Sequence, residues 1–279
     1  MTATLINGKQ IAADIRNCLK EKIALLPHAP KLSVIIVGNN PASEIYIRNK
    51  ERACTEVGII SDTIKLPDST DKKTLLSLID KLNQDISING ILVQLPLPAH
   101  LDEKEILQAI SPQKDVDGFH PINSGLMLQK QKDAFIPCTP KGILRLIKSV
   151  KQDLSGMNAV IIGRSHIVGI PTANLLLHEN CTITITHSKT QNLAAVCKNA
   201  DILVAAIGKS EFITKDYIKP HAVIIDVGIN RTQSGIKGDV NASDALELAD
   251  YLTPVPGGVG PMTIAMLLEN TYEAFLKQN

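Results

Sequence analysis

Short apolar runs alternate with longer amphipathic segments along most of this 279-residue chain. An apolar run of four to six residues, bounded by turn residues, is typical of a strand buried on both faces. The longer segments are typical of helices that pack on a sheet. This alternation predicts an α/β fold with parallel sheets. In the first half it predicts helices at Asn7–Leu26, Ser43–Val57 and Asp71–Asp85, and strands at Leu32–Val37, Thr63–Leu66 and Gly90–Val93.

A second series of elements begins near Lys141 and has the same layered pattern without an obvious sequence repeat. The stretch Phe135–Pro140 contains two prolines and is predicted to connect two domains. The second series predicts strands at Ala159–Ile162, Thr182–Thr186, Ile202–Ala206 and Val223–Val227, and helices at Val168–His178, Leu193–Lys198 and Thr263–Lys277. Thr263 is expected to be the N-cap of the last helix.

Composition and charge exclude several classes of protein. Net charge is +1, aromatic residues make up 3% and tryptophan is absent, which disfavours a nucleic-acid partner. The N-terminus has no basic region followed by an apolar stretch, and no run approaches the length of a membrane span. The five cysteines are scattered and the histidines dispersed, so we expect reduced thiols, no metal site and a cytoplasmic location.

The segment Ala159–Gly169 reads as a strand, a glycine turn and the start of a helix. Such a turn can bind a pyrophosphate, because backbone N–H groups point at the anion and a glycine lets it approach closely. The spacing here is G-x-S-x-x-x-G rather than the usual G-x-G-x-x-G. On this stretch alone, a tight turn without a ligand is an equally good interpretation.

The end of the next strand favours NADP over NAD. NAD-binding proteins usually place an acidic residue there for the ribose 2′-hydroxyl, whereas this chain has His187-Ser-Lys-Thr190. Hydroxyl and cationic groups at this point, together with Arg164 on the first loop, suit a 2′-phosphate. Ser188 is also placed where it could cap the following helix.

Three polar residues in the first half are candidates for chemistry. Tyr46 and Lys50 are four residues apart and share one helix face. A desolvated lysine titrates below its ordinary pKa and can transfer protons, although such a pair is common on solvated helix surfaces. Gln94 follows a buried strand, at the edge where parallel sheets bind ligands. Without other evidence, a glutamine that satisfies loop backbone is the better interpretation at this position.

Two further segments are candidates for binding a ligand. In Asp115-Val-Asp117, alternation puts both carboxylates on one side, and a carboxylate can accept two hydrogen bonds from a pterin-like N–H edge. On spacing alone, an Asp-Gly turn is the better interpretation. The loop Thr253–Thr263 contains three glycines and three prolines, so its shape is preset and it exposes backbone donors and acceptors.

These motifs together resemble the bifunctional methylenetetrahydrofolate dehydrogenase/cyclohydrolase family. The QLPLP and PGGVGPMT sequences are highly specific, and the similarity runs in family order from about residue 5 to residue 275. The matching stretches are Val37–Tyr46 with Lys50, Gly90–Pro98, Lys114–Pro121, Pro137–Pro140, Gly163–Gly169, His187–Thr190, Asp226–Ile229 and Pro256–Thr263.

The resemblance implies a role for each candidate residue. Lys50 is implied to be catalytic, with Tyr46 and Gln94 supporting it and also contacting the substrate. Asp117 is implied to bind the pterin ring. The loop Pro256–Pro261, with Pro256, Gly257 and Gly258, is implied to line a cleft between the domains. The residues implied to bind NADP are Gly163, Arg164, Ser165, Ser188 and Ile229.

The resemblance also implies the organisation of the chain. The catalytic, folate-binding domain would comprise residues 1–139 and 262–279, because the last helix returns to it. Residues 140–261 would form a Rossmann-type NADP domain, through which the family commonly forms homodimers. The chain departs from the family at Ile170, where lysine is usual, and at Asn40, where aspartate is common. The first departure removes a cation near the cofactor loop.

The implied function is oxidation of 5,10-methylenetetrahydrofolate by NADP, followed by hydrolysis of the methenyl product to 10-formyltetrahydrofolate. Two alternatives remain from the sequence. One is an NADP-dependent dehydrogenase of the shikimate or amino-acid type, which would not need QLPLP and PGGVGPMT. The other is a non-catalytic folate or dinucleotide sensor, against which the combination of Tyr46, Lys50, Gln94 and Asp117 argues.

Overall fold

The computed structural model describes residues 2–39, 41–233 and 235–278, with backbone alone for 41–45. Up to residue 137 the elements are β1 (Thr4–Leu5), α1 (Gly8–Ala24), β2 (Lys31–Val37), α2 (Pro41–Val57), β3 (Ile60–Leu66), α3 (Lys72–Gln84), β4 (Gly90–Val93), α4 (Glu103–Gln108) and α5 (Pro121–Leu128).

The remaining elements are α6 (Cys138–Val150), β5 (Asn158–Ile162), α7 (Gly169–His178), β6 (Thr182–Thr186), α8 (Leu193–Cys197), β7 (Ile202–Ala205), β8 (Val223–Asp226), β9 (Asn230–Thr232), β10 (Gly235–Lys237), α9 (Ala242–Leu248), β11 (Tyr251–Leu252) and α10 (Val259–Gln278). The predicted elements are all present. The last helix begins at Val259, so the prediction that Thr263 is its N-cap is wrong: the Thr263 hydroxyl donates to the Val259 carbonyl inside the helix, at 3.3 Å.

The chain divides into two compact units. The three-stranded unit comprises Ala13–Cys138 and Ile264–Asn279, and the six-stranded unit comprises Met1–Ala12 and Thr139–Thr263. The predicted division put residues 1–12 in the first domain. The compact six-stranded unit includes these residues, because β1 pairs with β11.

All strands of the two main sheets are parallel, which confirms the predicted α/β class. The three-stranded sheet has the order β3-β2-β4, and the six-stranded sheet has the order β1-β11-β8-β7-β5-β6. A separate antiparallel pair is formed by β9 and β10. The carboxyl ends of parallel strands lie at one edge of a sheet, so the loops that follow them come together there.

The central strands are buried on both faces, as their continuous apolar sequences predict. Every residue of β4, β7 and β8 is buried. Each fully buried leucine, isoleucine or valine stabilises the fold by about 1.5–3 kcal/mol relative to an exposed one. The sheets are therefore rigid supports for the loops at their edges. No helix in the described ranges combines the length and apolar character that a bilayer crossing requires.

Candidate active site

The ammonium of Lys50 is the centre of a polar cluster in the three-stranded unit. Lys50 lies on α2 and only 5% of it is exposed. Its Nζ donates to Oε1 of Gln94 at 3.0 Å and lies 4.8 Å from the centroid of the Tyr46 ring. The i, i+4 spacing on the helix therefore does what the sequence predicts: it puts the ring of Tyr46 beside the ammonium.

The fold fixes Gln94 at the end of a strand. Gln94 follows β4, and its backbone N–H donates to the carbonyl of Ile35 on the neighbouring strand at 2.9 Å. Its side-chain Nε2 donates to the Leu95 carbonyl at 2.7 Å, which leaves Oε1 turned toward Lys50. The amide thus satisfies loop backbone, as the simpler interpretation of this residue predicts, and it also contacts the lysine.

Burial and a nearby carboxylate act in opposite directions on Lys50. Desolvation by burial lowers the pKa of Lys50, and the negative charge of Asp117 opposes that shift. Burial likewise raises the pKa of Asp117, while the charge of Lys50 lowers it. Both groups are thereby brought closer to neutrality than free side chains. A lysine whose pKa is lowered in this way gives up its proton more readily than a free side chain.

Asp117 lies in a turn that Asp115 builds. Asp115 is 1% exposed, and its carboxylate accepts backbone N–H bonds from Gly118, Phe119 and His120 at 3.1, 3.2 and 2.8 Å. Gly118 has a φ of 77°, a conformation that glycine adopts without strain. The Asp-Gly turn is therefore present. The oxygens of Asp115 are occupied by this turn, which leaves Asp117 as the candidate for a ligand.

Sequence reasoning missed Asn270, which holds the same turn from α10. Its side-chain amide is fully buried and donates to the carbonyls of Val116 and Ile136 at 2.8 and 2.9 Å. The thiol of Cys138 also donates to the Val116 carbonyl, at 3.4 Å. No periodicity marks Asn270, because it is a polar residue on an otherwise apolar face. Buried amides of this kind are found through their partners, which only the fold supplies.

The glycine turn predicted to bind a cofactor leaves β5 in the six-stranded unit. Gly163 has a φ of 126°, and a Cβ on it would collide with the Ala206 carbonyl oxygen. A Cβ on Gly169 would collide with the Gly163 carbonyl oxygen. The Ser165 hydroxyl accepts from the N–H groups of Val168 and Gly169 at 3.2 and 3.3 Å, at the first turn of α7. This close-packed turn at a helix N-terminus fits a pyrophosphate.

The residues predicted to meet the 2′-phosphate are exposed at the edge of the same sheet. Arg164 follows β5 and Ser188 follows β6, the neighbouring strand, and both side chains are exposed. Asn192 holds the N-cap position of α8, so the prediction that Ser188 caps this helix is wrong. Ser188 is therefore available to a ligand. With no acidic residue at His187–Thr190, the site fits NADP.

Ile229 and the glycine–proline loop line one cavity in the six-stranded unit. The cavity has a volume of about 170 Å³, and its lining includes Ile229 together with Pro256, Gly257 and Gly258. Ile229 is 60% exposed, so its side chain is accessible beside this cavity. The loop is fixed at its base, because the Lys9 N–H donates to the Gly257 carbonyl at 2.9 Å.

Asn40, one of the two departures from the family's usual sequence, lies outside the described residues. Within residues 2–39, 41–233 and 235–278, no group of three or more His, Cys, Asp or Glu side chains is arranged to hold a metal ion.

Models of one protein family match both parts of the chain. The tetrahydrofolate dehydrogenase/cyclohydrolase catalytic domain matches residues 6–117, and the NAD(P)-binding domain of the same family matches residues 137–279. The chain belongs to the tetrahydrofolate dehydrogenase/cyclohydrolase family. This membership favours the folate enzyme over the shikimate-type dehydrogenase and over the sensor.

Individual members of the tetrahydrofolate dehydrogenase/cyclohydrolase family are similar over nearly the whole chain. The bifunctional protein FolD of Bacillus cytotoxicus is 53% identical over 98% of this chain and 97% of its own length. The solved structure of the bifunctional FolD enzyme from Campylobacter jejuni is 46% identical, with a TM-score of 0.97 and coverage of 99% and 100%.

A third member of the tetrahydrofolate dehydrogenase/cyclohydrolase family was solved with a cofactor. The FolD structure from Trypanosoma brucei, complexed with NADP and an inhibitor, is 35% identical, with a TM-score of 0.95 and coverage of 99% and 98%. This similarity agrees with the features of the β5 and β6 loops that fit NADP.

Proposed function

We propose that this chain oxidises 5,10-methylenetetrahydrofolate with NADP and hydrolyses the resulting methenyl group to 10-formyltetrahydrofolate. Lys50 is the catalytic residue of the hydrolysis, supported by Tyr46 and Gln94. The observation that carries the proposal is the buried Lys50 ammonium, whose pKa is lowered by desolvation and whose partner at 3.0 Å is the neutral amide of Gln94. An acidic partner would keep the lysine charged, and an amide does not.

Hydrolysis requires two proton movements, and Lys50 is placed to serve both. Water adds to the methenyl carbon and loses one proton, which a neutral Lys50 amine can accept. The new hydroxyl then gives up its proton as the bond from carbon to the ring nitrogen breaks, and that nitrogen gains a proton. The ring of Tyr46, 4.8 Å from Nζ, favours the ammonium that exists between these events.

The oxidation needs positioning more than acid–base chemistry. NADP, when bound, accepts the hydride of the bridging methylene at its nicotinamide ring. We assign Gly163, Ser165 and the α7 N-terminus to the pyrophosphate, and Arg164 and Ser188 to the 2′-phosphate. Ile229 is assigned to the cofactor as well, because it is exposed beside the loops at the same sheet edge. These groups hold the cofactor and take no part in bond breaking.

The folate itself is assigned to two sets of residues. Asp117 binds the N–H edge of the pterin, and it is held for this by the turn that Asp115 and Asn270 fix. Pro256, Gly257 and Gly258 offer backbone donors and acceptors from a loop whose shape proline and glycine preset.

A single pair of variants tests the hydrolysis. Lys50→Met removes the amine and keeps a flexible apolar stem, whereas Lys73→Met does the same on the exposed face of α3. Absorbance of NADPH and of the methenyl compound is followed together, with methylenetetrahydrofolate and NADP. We expect Lys50→Met to lose hydrolysis, to accumulate the methenyl compound and to bind NADPH normally, and Lys73→Met to behave as the parent enzyme.

Two results would count against the proposal. Full hydrolysis of the methenyl compound by Lys50→Met would remove Lys50 from the mechanism. Failure of the parent enzyme to form NADPH from methylenetetrahydrofolate would remove the oxidation.

We also propose that the chain acts in the cytoplasm as a homodimer. All five cysteines are free thiols, which suits a reducing compartment. Strand β6 forms one edge of the six-stranded sheet, and Ile185 on it is 37% exposed, so this edge offers apolar surface and unpaired backbone to a second copy. Sedimentation of the purified protein at micromolar concentration tests the dimer, and a monomer throughout would contradict it.

A further inference from the structure

Asp239 is a fully buried carboxylate that binds two loops of the six-stranded unit. Its Oδ2 accepts from the N–H groups of Ile207 and Gly208 at 2.7 and 2.9 Å. Its Oδ1 accepts from the N–H of Lys209 and from the Asn230 side-chain amide, both at 2.9 Å. A buried charge is tolerated only when its lone pairs are satisfied in this way. The loop after β7 is therefore shaped around one carboxylate.

A second buried carboxylate, Asp226, continues this network. It lies at the end of β8 and is 4% exposed. Its oxygens accept from the N–H groups of Gly228, Asp239 and Val240 at 2.9, 2.8 and 2.9 Å. A Cβ on Gly228 would collide with the Asp239 carboxylate, so the loop after β8 lies directly against it. Together the two carboxylates join the loops after β7 and β8 to the segment 238–240.

These two loops leave the sheet beside the cofactor turn. In the order β8-β7-β5-β6, strand β5 carries the glycine turn, and β7 is its neighbour on the side opposite β6. The loops are in direct contact, because a Cβ on Gly163 would collide with the carbonyl of Ala206, the residue before the Asp239-bound segment.

The strand order separates the two halves of a dinucleotide. In this type of sheet the pyrophosphate sits at the first glycine turn, and the adenosine ribose lies at the end of the next strand, here β6. The nicotinamide half must then extend over the ends of β7 and β8, where Ile229 is exposed. Because the N–H groups of residues 207–209 all point at Asp239, this loop is not a phosphate site.

We propose that Asp239 is a positioning residue for the nicotinamide half of NADP, and that it acts through the loops after β7 and β8 without touching the cofactor. The proposal rests on the assignment of NADP to the six-stranded unit. It implies that the two halves of the cofactor depend on different residues: the adenosine half on the β5 and β6 loops, and the nicotinamide half on a buried carboxylate.

Asp239→Asn tests this, because an amide of the same size cannot accept all four bonds and turns an NH₂ group toward N–H donors. The matched control is Asp153→Asn in the same unit, where an exposed carboxylate accepts the Ser155 N–H at 3.0 Å. Binding of NADPH and of adenosine 2′,5′-bisphosphate, which carries only the adenosine half, is measured by calorimetry. Hydrolysis of the methenyl compound is measured alongside.

We expect Asp239→Asn to bind NADPH roughly 10-fold more weakly, as the loss of a charged hydrogen-bond network implies. Adenosine 2′,5′-bisphosphate should bind unchanged, and hydrolysis should be retained. Asn230→Ala is a second variant that removes only one hydrogen bond to Asp239. We expect it to weaken NADPH binding as well, by a smaller factor than Asp239→Asn. Asp153→Asn should leave the affinity for both ligands unchanged.

Three outcomes would overturn the proposal. NADPH affinity that is unchanged in both Asp239→Asn and Asn230→Ala would show that the loops hold their shape without this carboxylate. If the binding of both ligands were weakened equally, Asp239 would stabilise the unit as a whole and would not position the nicotinamide half. Absence of adenosine 2′,5′-bisphosphate binding to the parent enzyme would instead refute the cofactor assignment, and the proposal with it.

Discussion

The ammonium of Lys50 donates to the side-chain oxygen of Gln94 at 3.0 Å, so a buried cation is held by a neutral amide. The counter-charge with the largest effect on its pKa is Asp117, and that effect is smaller than the effect of burial. A lysine in this setting is oriented without being kept charged. Its ability to lose and regain a proton therefore depends on the neutrality of residue 94.

Gln94→Glu should suppress hydrolysis near neutral pH. Burial lowers the pKa of Lys50, so the neutral amine forms as pH rises through that lowered value. A carboxylate at position 94 would favour the ammonium and move this rise to higher pH. Each unit of pKa change costs roughly 10-fold in neutral amine at a fixed pH below it. The measurement is the pH–rate profile with the methenyl compound.

The control for this profile is Gln152→Glu, which places the same charge on an exposed loop. It should leave the profile unchanged. If Gln94→Glu also had the parent profile, the charge state of Lys50 would not limit the reaction.

Gly163→Ala should abolish binding of NADPH, because the new methyl group would collide with the Ala206 carbonyl oxygen. Gly156→Ala is the matched control. Gly156 also has a positive φ, 76°, but a Cβ on it would meet nothing within 4 Å. Both substitutions also place a Cβ at a positive φ, which costs on the order of 1–3 kcal/mol. Fluorescence titration with NADPH compares them, and equal affinities would show that the packing of the turn is not needed for the cofactor.

Ser188→Asp should lower the preference for NADP. An acidic side chain after β6 would repel a 2′-phosphate and accept a bond from a 2′-hydroxyl, as in NAD-binding proteins. We expect the ratio of kcat/KM for NADP to that for NAD to fall by roughly 10-fold or more, the size of a lost charged contact. Thr182→Asp adds the same charge at the opposite end of β6 and should leave the ratio unchanged. A parent-like ratio in Ser188→Asp would mean that this residue does not face the ribose.

Asn270→Ala should destabilise the protein by about 1–3 kcal/mol, because the carbonyls of Val116 and Ile136 lose the hydrogen bonds of its buried amide. It should also raise the KM for the folate substrate, since one of those carbonyls belongs to Val116, the residue before Asp117. Urea unfolding and steady-state kinetics measure the two effects. Asn199→Ala removes an exposed side-chain bond within one helix turn and should cost less than 1 kcal/mol. Equal costs for the two variants would contradict the role given to Asn270.

The architecture was largely predictable, because it depends on local patterns. Apolar runs gave the buried strands, and Gly90–Val93 and Thr182–Thr186 were predicted with the bounds that the structure has. The pairing of Tyr46 and Lys50 was predictable for the same reason, since the spacing of four acts within one helix. Their burial was not, because the same spacing is common on exposed faces.

What the sequence left open depends on contacts between distant parts of the chain. Asp115, Asp226, Asp239 and Asn270 are polar residues whose partners are backbone groups, and backbone groups have no sequence signature. The start of α10 at Val259, rather than at Thr263 as predicted, was missed for a local reason. Glycine and proline at positions 260 and 261 suggested a loop, but proline is well tolerated in the first turn of a helix.

The pairing of Thr4 and Leu5 with Tyr251 and Leu252 links residues almost 250 positions apart. Residues 4–5 therefore leave the ribosome long before residues 251–252. The six-stranded sheet cannot be completed until both segments have been made, and closing such a long loop is entropically costly. Until then the edge of β8 is open to pairing with other chains, so the newly made protein depends on rapid synthesis as far as residue 252.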